Sequence, residues 1–188
     1  LSSFINPGEF DSQLNFSLYN KAMEHFSGIN TNFIELNQDI IENLYINQPI
    51  NLMGTFTSID NQIRFISIAD NQIIYNEDEE IRVFSNPPKN VIDPASYEKL
   101  FMFMVMNNSL PGIPITYYGE EYGQIGGGES DSKRDMKFQK ELSILESYLK
   151  SRISKLNSLR REYPSLSIGD LLILRESKNV SVWLKSYF

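Results

Sequence analysis

The stretch Pro111-Gly112-Ile113-Pro114-Ile115-Thr116-Tyr117-Tyr118-Gly119-Glu120-Glu121-Tyr122-Gly123 constrains the fold more than any other part of this chain, because an apolar run leaves a proline–glycine turn and meets two adjacent acids. A strand covered on both faces reads as an unbroken apolar run bounded by turn residues, and Ile113 to Tyr118 has that form. Before it, Tyr97 to Met106 contains neither glycine nor proline and predicts a mostly buried helix. Helix, tight turn, buried strand and acidic loop make an αβ unit of a parallel sheet, with the acids at the strand's carboxyl end. Ligands of such folds gather at that edge.

The chain before this unit predicts more of the same. Asp11 to Phe16 suggests a brief strand, and Ser17 a cap for a helix from Leu18 to Phe26 that Ser27-Gly28 ends. Thr31 or Asn32 caps a second helix, with Phe33, Leu36, Ile40, Ile41 and Leu44 on one face and Pro49 as its stop. Ile50 to Phe56 predicts another buried strand, which delivers the polar loop Thr57 to Gln62 to the edge where Glu120 and Glu121 lie. The acidic run Asn76-Glu77-Asp78-Glu79-Glu80 reads as a solvated loop, and Asp93-Pro94 as the start of the 97–106 helix.

After the acids, Ile125 to Asp135 is glycine-rich and charged but lacks the phosphate-cradling patterns, so a flexible rim loop is expected. Residues 137–162 predict a long amphipathic helix through Leu142, Leu145, Leu149, Ile153, Leu156 and Leu159, which Pro164 stops. Ile168 to Glu176 and Val180 to Tyr187, joined by Ser177-Lys178-Asn179, predict an antiparallel hairpin.

Composition removes several function classes. The 188 residues carry a formal charge of −7 and no basic stripe, which disfavours nucleic acid as a partner. No cysteine is present, so disulfides, thiolate metal sites and cysteine nucleophiles are excluded. The single histidine, His25, lies in a helical run and is expected to be a surface or packing residue, which leaves no basis for a Ser/His/Asp triad. Neither a cofactor nor a metal is expected. No apolar run is long enough for a membrane span, Leu1 opens no signal-like segment, and the chain does not begin with methionine.

Four stretches together resemble the C-terminal half of the α-amylase superfamily of glycoside hydrolases: Asp11-Ser12-Gln13-Leu14-Asn15-Phe16-Ser17-Leu18-Tyr19, Met53-Gly54-Thr55-Phe56, Pro111 to Gly123, and Lys133-Arg134-Asp135-Met136-Lys137-Phe138. Their order and spacing agree with the family over nearly the whole chain. The resemblance implies an α/β fold over residues 1–163, namely the C-terminal portion (strands 6 to 8 with helices) of a (β/α)8 TIM barrel. It also implies the first strands of an antiparallel β-domain over 164–188, and an active site at the barrel's C-terminal face. An α-glucan or oligosaccharide is the implied ligand.

The sequence departs from the family in two ways. The family's nucleophilic aspartate and acid/base glutamate lie on strands four and five, outside residues 1–188. Glu9 superficially resembles the acid's Gly-Glu, but it stands two positions before Asp11 and leaves no room for the usual excursion between strands five and six. The second departure concerns the family's Asn-His-Asp triplet after strand seven, whose aspartate follows a phenylalanine by five positions and precedes an arginine by three. Phe56 and Arg64 both place that aspartate at Asn61, so the triplet here is Ile59-Asp60-Asn61. In the family these groups hold sugar hydroxyls and stabilise the cationic transition state of a retaining mechanism. Asn61 and Asp60 therefore occupy degenerate transition-state-stabiliser positions, with Ile59 and Arg64 implied at the substrate; a one-residue shift would return Asp60 to the carboxylate role but break the arginine spacing.

Gly112, Pro114, Gly119 and Glu121 read as a structural motif of the eighth strand, with Glu120 and Glu121 capping the next loop or pairing with Arg134. Tyr117, Tyr118 and Trp183 read as packing residues. Three functions remain open: a degenerate amylase-like protein without hydrolysis, a working α-glucan hydrolase or transglycosylase when an N-terminal half is present, and a non-catalytic interaction module. Three of eight strands leave an open edge. The free chain is therefore expected to need the remainder of the barrel or a second chain, and otherwise to dimerise, rearrange or aggregate.

Overall fold

A computed structural model describes residues 12–47, 53–74 and 86–187. The acidic run 76–80, Asp11 and Pro49 to Asn51 lie outside those residues.

Helix α1 runs Phe16–Ser27. Its cap is Asn15 rather than Ser17: the Asn15 side chain accepts from the Leu18 amide at 3.1 Å, and Gly28 closes the helix in the left-handed region with φ 101°. Helix α2 spans Phe33–Asn47, with the Asn32 side chain accepting from the Ile34 amide. Strand β1 (Gly54–Phe56) follows, then the short α3 (Phe65–Ala69). Helix α4 (Ala95–Ser109) is longer than the predicted 97–106 segment, and the Asp93 carboxylate accepts from the Ala95 amide at its start.

Strand β2 is Ile113–Ile115 and pairs in parallel with β1, Phe56 opposite Ile115. Leu14 adds a single parallel bridge to Gly54 on the other side of β1. The expected double-sided burial of β2 is not met: Ile113 is 50% exposed and Ile115 37%. Ile113 and Ile115, two apart along the strand, lie on the same face of β2, and among the described residues that face is left largely uncovered.

Past β2 come a 3₁₀ turn (Glu120–Tyr122), the short α5 (Gly128–Asp131) and a second 3₁₀ turn (Gln139–Glu141). The loop expected to be a flexible rim is tied down instead. Gly126 exchanges hydrogen bonds with Ser67, its carbonyl accepts the Arg64 amide, and Arg134 pairs with Asp131. The long helix α6 is Ile144–Glu162 and begins later than predicted, because Ser143 and Glu146 form a reciprocal capping box there.

A short α7 (Pro164–Ile168) leads to β3 (Asp170–Glu176) and β4 (Ser181–Ser186), an antiparallel hairpin with a bulge at Leu174. One core joins α1, α2, α3, α4 and α6 to β1, with Tyr19 stacked on Phe56 at 4.7 Å and Phe65 edge-on to Phe103 at 5.1 Å. Leu171 and Trp183 of the hairpin pack against the same core. Among the described residues no helix is long and apolar enough to cross a membrane.

Candidate functional site

Because β1 and β2 are parallel, the loops at their carboxyl ends meet at one edge. Two glycines shape the acidic loop there. Gly119 has φ 86°, and a Cβ on it would lie 2.1 Å from Gln124 Oε1; Gly123 has φ 75°. These left-handed residues bracket the 3₁₀ turn and direct Glu120 inward, where none of it is exposed. Glu121, the next residue, is half-buried.

Inside, Glu120 accepts from the hydroxyls of Thr57 and Ser58, the latter at 2.6 Å, and lies 3.6 Å from Arg64 Nη1. Burial pushes the Glu120 carboxyl up, against the opposing pull of Arg64, Ser58 and Thr57. A buried carboxylate facing a guanidinium and two hydroxyls has the partners that make burial of charge tolerable.

Arg64 does not reach the edge as a substrate-binding residue. It is completely buried, and its guanidinium donates to Ser132 O at 2.8 Å and Tyr118 O at 2.7 Å beneath the rings of Tyr117 and Tyr118. Its donors are committed to the protein, which corrects the role expected for it. Glu120 pairs with Arg64, whereas Arg134 is held by Asp131.

The triplet lies on the loop between Ser58 and Arg64. Asp60 and Asn61 are exposed, and Ile59 is half-buried against the core. The Asp60 carbonyl accepts from Ser132 Oγ at 2.6 Å. The structure therefore brings Asp60 and Asn61 to the carboxyl edge of the sheet and turns Ile59 partly away from solvent. Gly112 immediately precedes β2 and Pro114 is its middle residue, away from the strand's carboxyl end. Thr57, Ser58 and Ser132 were not singled out in the sequence; the available signal was two hydroxyls directly following a strand that leads to an acidic turn.

Exposed Asp60 and Asn61 offer hydrogen-bond acceptors and an amide donor to a polyhydroxyl ligand. Among the described residues no group of three or more histidine, aspartate or glutamate side chains is placed to hold a metal ion.

No protein-family model matches the chain. Over 191 aligned residues it is 22% identical to a cyclomaltodextrinase of Thermoanaerobacter pseudethanolicus, covering 99% of this chain and 28% of that protein. Over 106 residues it is 28% identical to an amylopullulanase of Thermoanaerobacter thermohydrosulfuricus, of which it covers 7%. An Anoxybacillus α-amylase structure superposes with a TM-score of 0.72 at 27% identity, covering 95% of this chain and 34% of the enzyme. The chain is related to the α-amylase superfamily of glycoside hydrolases.

The structural neighbours of this amylase-like chain are (β/α)8 barrel enzymes. The α-amylase of Geobacillus thermoleovorans, crystallised with acarbose, shares the fold with a TM-score of 0.71 at 24% identity over 96% of this chain and 35% of that enzyme. The amylase-like chain thus spans about a third or less of the length of the relatives it matches.

Proposed function

We propose that this chain supplies the C-terminal portion, strands 6 to 8 with their helices, of an α-amylase-like (β/α)8 barrel and the first strands of a C-terminal β-domain, and that it binds α-glucans at its carboxyl edge without hydrolysing them by itself. The barrel portion is residues 1–163 and the β-domain starts at 164. The parallel order Leu14–β1–β2, with helices between the strands, supports that placement.

The observation that carries the functional half of the proposal is Asn61, a neutral amide standing exposed at the position where the resemblance to the family implies a carboxylate. Retaining glycoside hydrolysis needs two carboxyl groups about 5–5.5 Å apart across the scissile bond. At this edge Glu120 is enclosed and bonded to Thr57, Ser58 and Arg64, which leaves Asp60 as the exposed acid of the β1 loop.

Calorimetry with maltotriose and a reducing-end assay on maltooligosaccharides test the reading. Saturable binding without turnover is expected; turnover by the 188-residue chain that Asp60→Asn abolishes overturns it. A second reading, hydrolysis once the remaining barrel strands are supplied, is favoured by the related proteins, which are α-glucan-active enzymes. It predicts turnover on adding the other strands and a loss of that turnover in Asp60→Asn.

A further inference from the structure

The loop that carries Ile59, Asp60 and Asn61 takes its shape from another strand's end. At its start, Thr57 and Ser58 both donate to Glu120; at its finish, Arg64 lies 3.6 Å from the same carboxylate. The Ser58 hydroxyl also accepts the Phe65 amide, the first N–H of α3, at 3.2 Å. One acid therefore draws the two ends of the loop together. The middle is held as well: Ser132 Oγ donates to the Asp60 carbonyl, and the carbonyl of Ser132 is the acceptor for Arg64. These contacts join the loop after β1 to the 3₁₀ turn that follows β2 and to the residue that ends α5.

We propose that Glu120 is a positioning residue that sets where Asp60 and Asn61 stand at the carboxyl edge of the sheet. It acts through Thr57, Ser58 and Arg64, because with no exposed surface it touches no ligand itself. All three of these residues belong to the loop after β1 and stand 56 to 63 positions before Glu120 in the chain, so the loop is placed by tertiary contact. An unpaired buried donor in any of them is costly enough to open the loop while the core around α1, α2, α4 and α6 stays packed. In one respect the proposal rests on the reading above: the edge that Glu120 shapes is the α-glucan-facing one.

Hydrogen–deuterium exchange on the 188-residue chain, wild type against Glu120→Gln, tests it. The amide keeps the size of the acid but turns one acceptor into a donor facing Arg64. Exchange across residues 59–63 is expected to speed up about tenfold, with amides 100–106 of α4 unchanged, and the maltotriose dissociation constant to rise by a similar factor. Unchanged exchange at 59–63, or acceleration spread equally into α4, overturns the proposal. Should Glu120→Gln fail to fold, Thr57→Val and Ser58→Ala each remove one link; smaller accelerations confined to 59–63 support it, and none in either variant overturns it. A wild-type chain that ignores maltotriose removes the α-glucan reading, while the exchange comparison still decides the role of Glu120.

Discussion

Arg160, in the last turn of α6, donates a 2.6 Å hydrogen bond to the carbonyl oxygen of Gly112 in the turn that opens β2. The same guanidinium donates to the carbonyls of Asn108, Leu110 and Leu166. One side chain thus satisfies the end of α4, the turn into β2 and the end of α7, groups that a helix terminus otherwise leaves without partners. A lysine has neither the planar fork nor the reach to serve four acceptors. Arg160→Lys is expected to lower stability by about 2–3 kcal/mol, and Arg160→Met by more, in urea titrations followed by circular dichroism. An unchanged midpoint in both variants would show that water replaces the guanidinium without loss.

Gly112 itself has φ 129°, and a Cβ there would stand 2.5 Å from the carbonyl oxygen of Met53. That carbonyl is the acceptor for the Ile113 amide, so the close approach occurs where β2 joins β1. Gly112→Ala is expected to cost about 2–3 kcal/mol through strain and loss of that bond, read as a drop of roughly 5–10 °C in melting temperature. Ala substituted at Gly128, where a Cβ meets open space, should cost less despite its positive φ.

Asn37 is the polar side chain that ties the hairpin to α2, beside the apolar packing of Leu171 and Trp183 and a backbone bond from the Phe33 amide to the Lys178 carbonyl. Asn37 of α2 is buried; its side-chain oxygen accepts from Ser181 Oγ at 3.0 Å and Trp183 Nε1 at 3.2 Å, and its nitrogen donates to Glu176 at 2.8 Å. Trp183 is the only tryptophan in the sequence, so its fluorescence reports how the hairpin is seated. Asn37→Ala leaves the indole N–H and Glu176 without that partner, and Trp183 emission is expected to shift to the red before the helices melt. A blue, unmoved emission maximum would mean that apolar packing alone seats the hairpin.

Lys185 supplies a pH signature. Burial, reinforced by Arg160 and opposed by Asp170, lowers its ammonium to about 8. Between that value and the ordinary 10.5 the unfolded chain keeps a proton that the folded chain has released, so stability rises with pH through this window and is flat below it. Wild type should therefore gain melting temperature on going from pH 8 to 10 relative to Lys185→Met, which lacks the titrating group. Parallel curves for the two proteins across that range would rule out the lowered ammonium.

Order and type of the main elements were legible in the sequence because they rest on local rules. The apolar spacing of Phe33, Leu36 and Ile40 and the Asp93-Pro94 start mark helices without reference to the rest of the chain. The start of α6 was placed too early because Lys137 to Leu142 has helical composition, whereas Ser143 and Glu146 compete for the cap and win it. Burial of β2 was overestimated for a different reason. A pattern records what a strand would bury, and Ile113 and Ile115 find nothing on their outer side among the described residues.

The sequence alone determined the parallel αβ pattern, the turn glycines and the relationship to the α-amylase superfamily, and it carries the expectation that Asn61 stands at a carboxylate position of that family. Those features depend on residue type and near spacing. Only the tertiary structure decided that Arg64 is enclosed and that Glu120 meets Thr57, Ser58 and Arg64 from across 63, 62 and 56 positions of chain. Charge and polarity can be read from a residue's letter, but whether a charge faces solvent or a buried partner is settled by which loops the parallel strands bring to the same edge.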